Sequence, residues 1–481
     1  MASNHTDTIL FRLDRKVLLK FTILLVVAFF IKFLTPRYLG INPQQSVSLA
    51  IFLMSVLGTL FFWELRLGVA FMGVSILLLA HVLSLHELTK FASIEIILFL
   101  ISMMIIVGLL KDAGVFTSFL SYFVRMKNFT ARKLIFALGV FAALSSCLVG
   151  EVASAILTTA LILEICDFYE VNPLPYVVMG VLATNIGSVG TVLGNPIGII
   201  IATKSGLTFE DFLKIAFPLA VVTLVSMMFL FMLFNKKSIG VLNERIKRES
   251  DNDFLWRLLN IPMEKDAKTA LWVFSFIVLL IMAHHRLEML MRLEVNTLLI
   301  AVPLIAAGLI IVVDKQRAKK IFASEESELW TLFFFILLFA QAGTLTHTGV
   351  VKTIATRFFD DLLHIQSWLA TIILWASSII SGFLDNVVFV VSMTPVMVSL
   401  KDAGIPVTAL WWAVLFGGCM GGNFTMIGST ANIVALGILE KKRGDIAVNF
   451  IAWIKIGFVI TLATMLCAWA WLALLCFLKI I

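Results

Sequence analysis

Two acidic residues sit where a hydrocarbon solvent would have to hold them. Glu151 follows Leu148-Val149-Gly150 and precedes Val152, and Asp385 lies between Phe383-Leu384 and Asn386-Val387-Val388. A carboxylate at membrane depth costs several kcal/mol unless it is paired, hydrated or protonated, so each is a candidate cation ligand or proton carrier. A hairpin tip that needs a helix N-cap is the competing reading, and Asp385 has the side chain for it. Two glycine-rich segments add neutral ligands. Gly190-Thr191-Val192-Leu193-Gly194-Asn195-Pro196 cannot continue as helix, because Pro196 lacks an amide donor and the glycines favour unwinding. The run from Gly421 to Asn432 has the same character and carries Asn423, Thr425, Gly428, Ser429, Thr430 and Asn432. Unwound helix exposes carbonyls that coordinate cations and amides that coordinate anions. The candidate ion or solute ligands are therefore Thr191, Gly194, Asn195, Asp385, Asn386 and these second-half residues, with Glu151.

The elements that must position these groups are membrane spans. Hydrophobic residues make up 60% of the 481, charged residues only 14%, and the mean hydropathy is +1.03. Soluble domains carry roughly 25% charge. About twenty apolar residues cross a bilayer, which gives about eleven spans, near 17–35, 46–64, 67–85, 94–110, 174–203, 211–235, 269–285, 296–313, 329–346, 409–440 and 453–478. The first reads as a retained span and not a signal peptide, since Lys20 and Lys32 interrupt it and no small-residue cleavage site follows. Leu134 to Ile165 and Trp368 to Leu400 are too long for one crossing, and each is interrupted by polar residues at its middle, Gly150-Glu151 and Asp385-Asn386. Both are expected to be re-entrant hairpins. The fold class is thus an all-α polytopic membrane protein.

Net charge is +7 and pI about 9.1, which the membrane explains better than nucleic acid does. Basic residues cluster at Arg12, Arg15 and Lys16; at Arg125, Lys127, Arg132 and Lys133; at Lys236 and Lys237; at Arg245, Lys247 and Arg248; at Lys315 to Lys320; and at Lys441 to Arg443. Held inside, they place the N-terminus in the cytoplasm and the C-terminus outside. The five cysteines lie in or beside apolar runs without metal-ligand spacing and read as buried thiols.

The two halves are related. Gly114-Val115 is answered by Gly349-Val350, the Gly150 tip by the Asp385 tip, and Thr191 to Pro196 by Thr425 to Thr430, at an offset of about 235 residues. Lys204-Ser205-Gly206 ends the first broken span outside, whereas Glu440 to Arg443 ends the second inside, so the repeats are inverted. Such repeats place a solute site near the bilayer midplane. The expected division is 1–90 (tail and first spans), 91–235 (repeat 1), 236–268 (cytoplasmic linker, partly an amphipathic helix), 269–325 (connecting spans) and 326–481 (repeat 2).

The second hairpin (Ser381 to Val387), Thr394-Pro395 and Gly421 to Ala435 resemble the ion transporter superfamily, which groups NhaD-type sodium/proton antiporters, arsenite permeases, citrate carriers and the melanosomal P protein. Nearest in look is the P protein and NhaD-type branch; divalent-anion/sodium symporters are more distant. In the first half the likeness is carried by Thr184-Asn185-Ile186-Gly187, Gly194, Pro196 and Gly206 to Phe212. The resemblance implies eleven spans with two re-entrant hairpins, a scaffold that often forms a homodimer, an elevator-like transport domain, and Thr184 and Asn185 as further site residues. It suggests a bacterial inner (cell) membrane. The chain departs from the family in having Gly150-Glu151 where Asp-Asn is usual, and Gly194-Asn195-Pro196-Ile197-Gly198 where Gly-Asp-Pro-Pro-Asn is usual. A sodium/proton stoichiometry is not inherited across that change.

The expected function is secondary active transport of a small ion, antiport-like, coupled to protons through Asp385 and Glu151 or to sodium at the same sites, with no cofactor and no enzyme activity. The motifs contain no Lys or Arg, which favours a cation or a neutral hydroxylated solute over a multivalent anion. Helix N-termini bind anions without basic side chains, so an inorganic-anion, arsenite or carboxylate permease is the alternative. A passive channel would need a continuous polar pore, which these scattered tips do not line. No HExxH, GxSxG, Walker or GxGxxG context is present. His284-His285 and His347 read as interfacial residues and Trp411-Trp412 as an aromatic belt.

Overall fold

The computed structural model describes residues 15–62, 65–115, 130–249, 265–324, 326–353, 366–443 and 450–481. Arg12, Arg125, Lys127 and the linker stretch 250–264 lie outside them. The described residues are α-helical, with short turns. The chain is a polytopic membrane protein: among the described residues eight helices are long and apolar enough to cross a bilayer, or nine if a bent pair is one span. We number the helices in chain order.

The first group is α1 (Arg15–Leu39), α2 (Pro43–Phe61), α3 (Arg66–Leu79), α4 (Leu85–Phe91) and α5 (Ile94–Asp112). Helix α2 opens on a capping box between Asn42 and Gln45, with Pro43 in the first turn. The expected span at 67–85 is shorter than its apolar run suggested, since α3 stops at Leu79 and the chain restarts as the polar α4 under a second capping box, Ser84 with Glu87.

Next come α6 (Ala131–Val149) and α7 (Glu151–Phe168). Gly150, at φ +97°, separates them in a backbone conformation that L side chains rarely adopt. The Ser154 hydroxyl donates to the Ala142 carbonyl at 2.8 Å, which a continuous helix could not allow over twelve residues, so the chain folds back at this glycine. Helices α8 (Leu174–Gly187) and α9 (Pro196–Ser205) are the two parts of the first broken segment, followed by the long α10 (Phe209–Phe234) and the amphipathic α11 (Lys236–Glu249). Ile239, Leu242 and Ile246 give α11 its buried stripe.

The second half repeats this order. After α12 (Lys265–Met291), α13 (Thr297–Val313) bends by 114° into the basic α14 (Lys315–Ser324). Then follow α15 (Glu326–His347), α16 (Gln366–Ser381), α17 (Asn386–Asp402), α18 (Thr408–Gly421), α19 (Thr430–Lys442) and α20 (Phe450–Phe477). The packing is reciprocal. Helix α19 of the second half lies on α7 of the first, and α9 of the first lies on α17 of the second; α4 packs on α15, and α14 on α5.

Close approach fixes α8 on α6 and α18 on α16. A Cβ on Gly187 would run into the Ala143 carbonyl, and one on Gly421 into the Ser378 carbonyl. Trp411 and Trp412 are not a lipid-facing belt. Both are fully buried, with Trp412 between Phe212 and Phe416, because α18 is enclosed by α16, α17, α9 and α20. His284 is likewise buried, its Nδ1 at 2.7 Å from the Ile281 carbonyl. Cys147, Cys166 and Cys419 are buried thiols; Cys467 and Cys476 are half-buried.

Candidate functional site

The two hairpin tips meet. Asn386 Nδ2 donates to both Glu151 carboxylate oxygens at 3.3 Å, and these residues stand 235 positions apart, the offset of the repeat. Glu151 is 2% exposed and Asp385 5%. Asp385 Oδ1 accepts from the Val387 and Val388 amides at 3.1 and 3.3 Å, so it is the N-cap of α17. Its other oxygen, Oδ2, accepts from Thr430 Oγ1 at 2.7 Å. Capping therefore accounts for one oxygen, and the second reaches the start of α19. The first tip has no equivalent cap, since Gly150 has no side chain. Asn386 Oδ1 is buried and has no hydrogen-bond partner among the described residues.

The two breaks are built alike. Thr191 Oγ1 donates to the Cys147 carbonyl and accepts from the Leu193 amide at 3.1 Å; Thr425 Oγ1 donates to the Gly382 carbonyl and accepts from the Ile427 amide at 3.3 Å. A Cβ on Gly194 would collide with the Ser188 carbonyl, and one on Gly428 with that of Gly422. Asn195 caps α9 through the Gly198 amide at 2.9 Å, while Ser429 caps α19 through the Ala431 amide at 3.2 Å. The breaks are thus held open by threonine side chains reaching back to the ends of the preceding hairpin helices.

Behind the tips lies a brace of amides. Asn185 Nδ2 donates to Asn423 Oδ1 and Asn432 Oδ1, each at 2.8 Å, and Asn185 Oδ1 accepts from Ser429 at 3.1 Å. Asn432 Nδ2 donates to the Gly422 and Thr425 carbonyls at 2.8 and 2.9 Å, while Asn195 Nδ2 reaches Ser188 Oγ at 2.9 Å and Cys419 Sγ at 3.1 Å. Thr184 donates back to the Gly180 carbonyl at 3.0 Å. This cluster joins the halves across their contact.

A cavity of about 240 Å³ opens beside the first tip. Of the sequence-derived ligands, Glu151, Gly194's neighbour Asn195, and Thr430 line it; Gly150 does so too. The opposite wall is α5, with Met103, Val107 and Lys111, joined by Arg66 from α3 and Thr331 from α15. Arg66 Nη2 donates to Thr331 Oγ1 at 2.8 Å, and the guanidinium lies 5.4 Å from the Phe334 ring centre. It is also close enough to Asp385 for the two charges to attract. Arg66 and Lys111 escape the sequence reading because each sits at the end of an apolar run, where a basic residue ordinarily faces water. The cavity is one-sided: α15 packs directly on α17, but α5 stands off from α7, and the space between is this chamber. Among the described residues no group of three or more His, Cys, Asp or Glu could hold a metal ion.

Residues 53–417 match the profile of a family described as "Citrate transporter". An uncharacterized transporter of Mycobacterium tuberculosis is 32% identical over 376 residues, covering 76% of this chain and 82% of that protein. The mouse P protein is 26% identical over 506 residues, covering 89% of this chain and 60% of that longer protein. Among solved structures, the Alcanivorax borkumensis YdaH transporter superposes with a TM-score of 0.51 at 15% identity, covering 82% of this chain and 87% of that one, a likeness of fold.

Proposed function

Because the chain belongs to the citrate transporter family, within the ion transporter superfamily, we propose that it is a secondary active transporter that carries a small anionic solute through the chamber between α5 and the first tip. The observation that carries this reading is the convergence of opposite charges on one cavity. Arg66 and Lys111 stand on the wall, Glu151 stands on the tip, and Asp385 lies behind Thr430. The motifs themselves contain no Lys or Arg, but in space two basic side chains join them. A chamber of about 240 Å³ also exceeds what a bare ion needs.

Cation coupling follows from the same charges. An anion entering beside two carboxylates is repelled unless one or both are neutralised by a proton or a sodium ion. The inverted halves then exchange the open side, so that solute and coupling ion cross together about a fixed contact. The cation-exchange reading keeps one specific support: the deep brace around Asn185, Asn423, Ser429 and Asn432 is built of neutral oxygens and amides alone.

Proteoliposomes loaded with a pH dye separate the two. We expect uphill uptake of citrate, succinate or phosphate when an inward proton or sodium gradient is imposed. Gradient-driven sodium/proton exchange with no anion uptake would establish the cation reading instead, and rapid downhill flux that no gradient can drive uphill would mean a channel.

A further inference from the structure

We infer that Arg66 and Lys111 form an anion-binding wall that the solute meets at one membrane face only, so that the carrier's affinity differs between its two sides. The inference rests on the proposed transport cycle and adds the residues that read the solute's charge and the face at which they do so.

Arg66 begins α3 and Lys111 ends α5, and both side chains line the chamber. Neither belongs to the tips or the broken helices. The guanidinium is fixed to α15 at two points, the Thr331 hydroxyl and the Phe334 ring, so its position follows the wall. A pinned, planar donor set at the side of a small chamber is suited to a carboxylate or another oxyanion.

The chamber exists on one side of the molecule because α5 stands off from α7 while its counterpart α15 is closed on α17. Exchange of these two arrangements gives the opposite-facing state, in which α5 closes on α7 and the opening forms between α15 and α17. At the offset of about 235 residues, Lys111 corresponds to Thr346. The opening between α15 and α17 therefore has a hydroxyl, at the far end of α15, where the present chamber has an ammonium, and Arg66, bound to the first turns of α15 at the Lys111 end of the chamber, stays at the face that closes. Solute is held by charge on the Arg66 side and by the tips alone on the other. The positive-inside rule makes the Arg66 side cytoplasmic, since Arg317 and Lys320 of α14 meet Asp112 at the same end of α5.

The test is transport kinetics from each face, in right-side-out and inverted membrane vesicles, with radiolabelled citrate, succinate, phosphate and sulfate as probes. For wild type we expect a lower KM at the cytoplasmic face. Arg66→Gln should raise that KM about tenfold or more, the weight of one charge-assisted hydrogen bond, and leave the KM at the outer face unchanged; Arg66→Lys should recover part of the loss. Lys111→Gln should act on the same face to a smaller degree. An equal rise at both faces, or a fall in maximal rate alone, would overturn the inference while leaving the transport reading intact. Wild-type protein that moves none of the four anions under any gradient would overturn both.

Discussion

Asp385 divides its two oxygens between tasks that a substitution can separate. Oδ1 holds the first amides of α17, and Oδ2 accepts the Thr430 hydroxyl beside the chamber. Asparagine keeps a carbonyl oxygen for the cap and removes the charge. Asp385→Asn is therefore expected to insert and fold like wild type yet lose gradient-driven uptake, whereas Asp385→Ala should also lose about 1 kcal/mol of cap stability. Full coupled activity in the asparagine variant, measured in proteoliposomes beside its melting temperature in detergent, would make Asp385 a cap and nothing more. The acidic tips were legible in the sequence because a carboxylate flanked by Leu, Val and Phe has few structural uses in a bilayer. Arg66 was not legible: it looks like any base at a span's end until α3, α5 and α15 close around it. Asn185 was found only through family resemblance. Its donors and acceptor are used across the contact between halves, and no local spacing records that.

At the scale of elements, the two broken segments share one device. Thr191 and Thr425 each anchor the unwound turn to the last carbonyls of the preceding hairpin helix and accept the amide two residues on. Replacing either by valine keeps the shape and deletes both hydrogen bonds of that hydroxyl, a loss of about 1 kcal/mol for each bond. Thr191→Val and Thr425→Val are expected to lower the detergent melting temperature by similar amounts, read by tryptophan fluorescence; an effect confined to one of them would mean that the likeness of the breaks is only geometric. Sequence alone placed these breaks to within about three residues, since glycine and proline within an apolar run leave few alternatives. It overextended α3, because apolar composition at Ala80 to Leu83 hides the turn that the Ser84–Glu87 capping box enforces. It also misread Trp411-Trp412, for paired tryptophans carry no mark that tells a belt from a core until the neighbouring helices are known.

Across the whole molecule, the face opposite the chamber is tied by ion pairs between helices. Lys204 at the end of α9 meets Glu95 at the start of α5 at 3.2 Å, and Arg286 of α12 meets Glu210 of α10 at 2.7 Å. All four side chains are partly exposed, and such pairs contribute about 0.2–1 kcal/mol each, less at high salt. Neutralising Glu95 alone should therefore change the balance between the two facing states by no more than about fivefold. Ties this weak close a face without locking it, which is what the proposed cycle, in which α9 parts from α5, requires. A covalent tie at the same place is a different matter. With Glu95→Cys and Lys204→Cys bridged by a short, reducible bis-thiosulfonate reagent, uptake in proteoliposomes should stop and return on reduction, while each single variant treated alike keeps its activity. Uninterrupted transport through the bridged protein would mean that α5 and α9 travel together, and that the opening and closing of the chamber occur elsewhere in the fold.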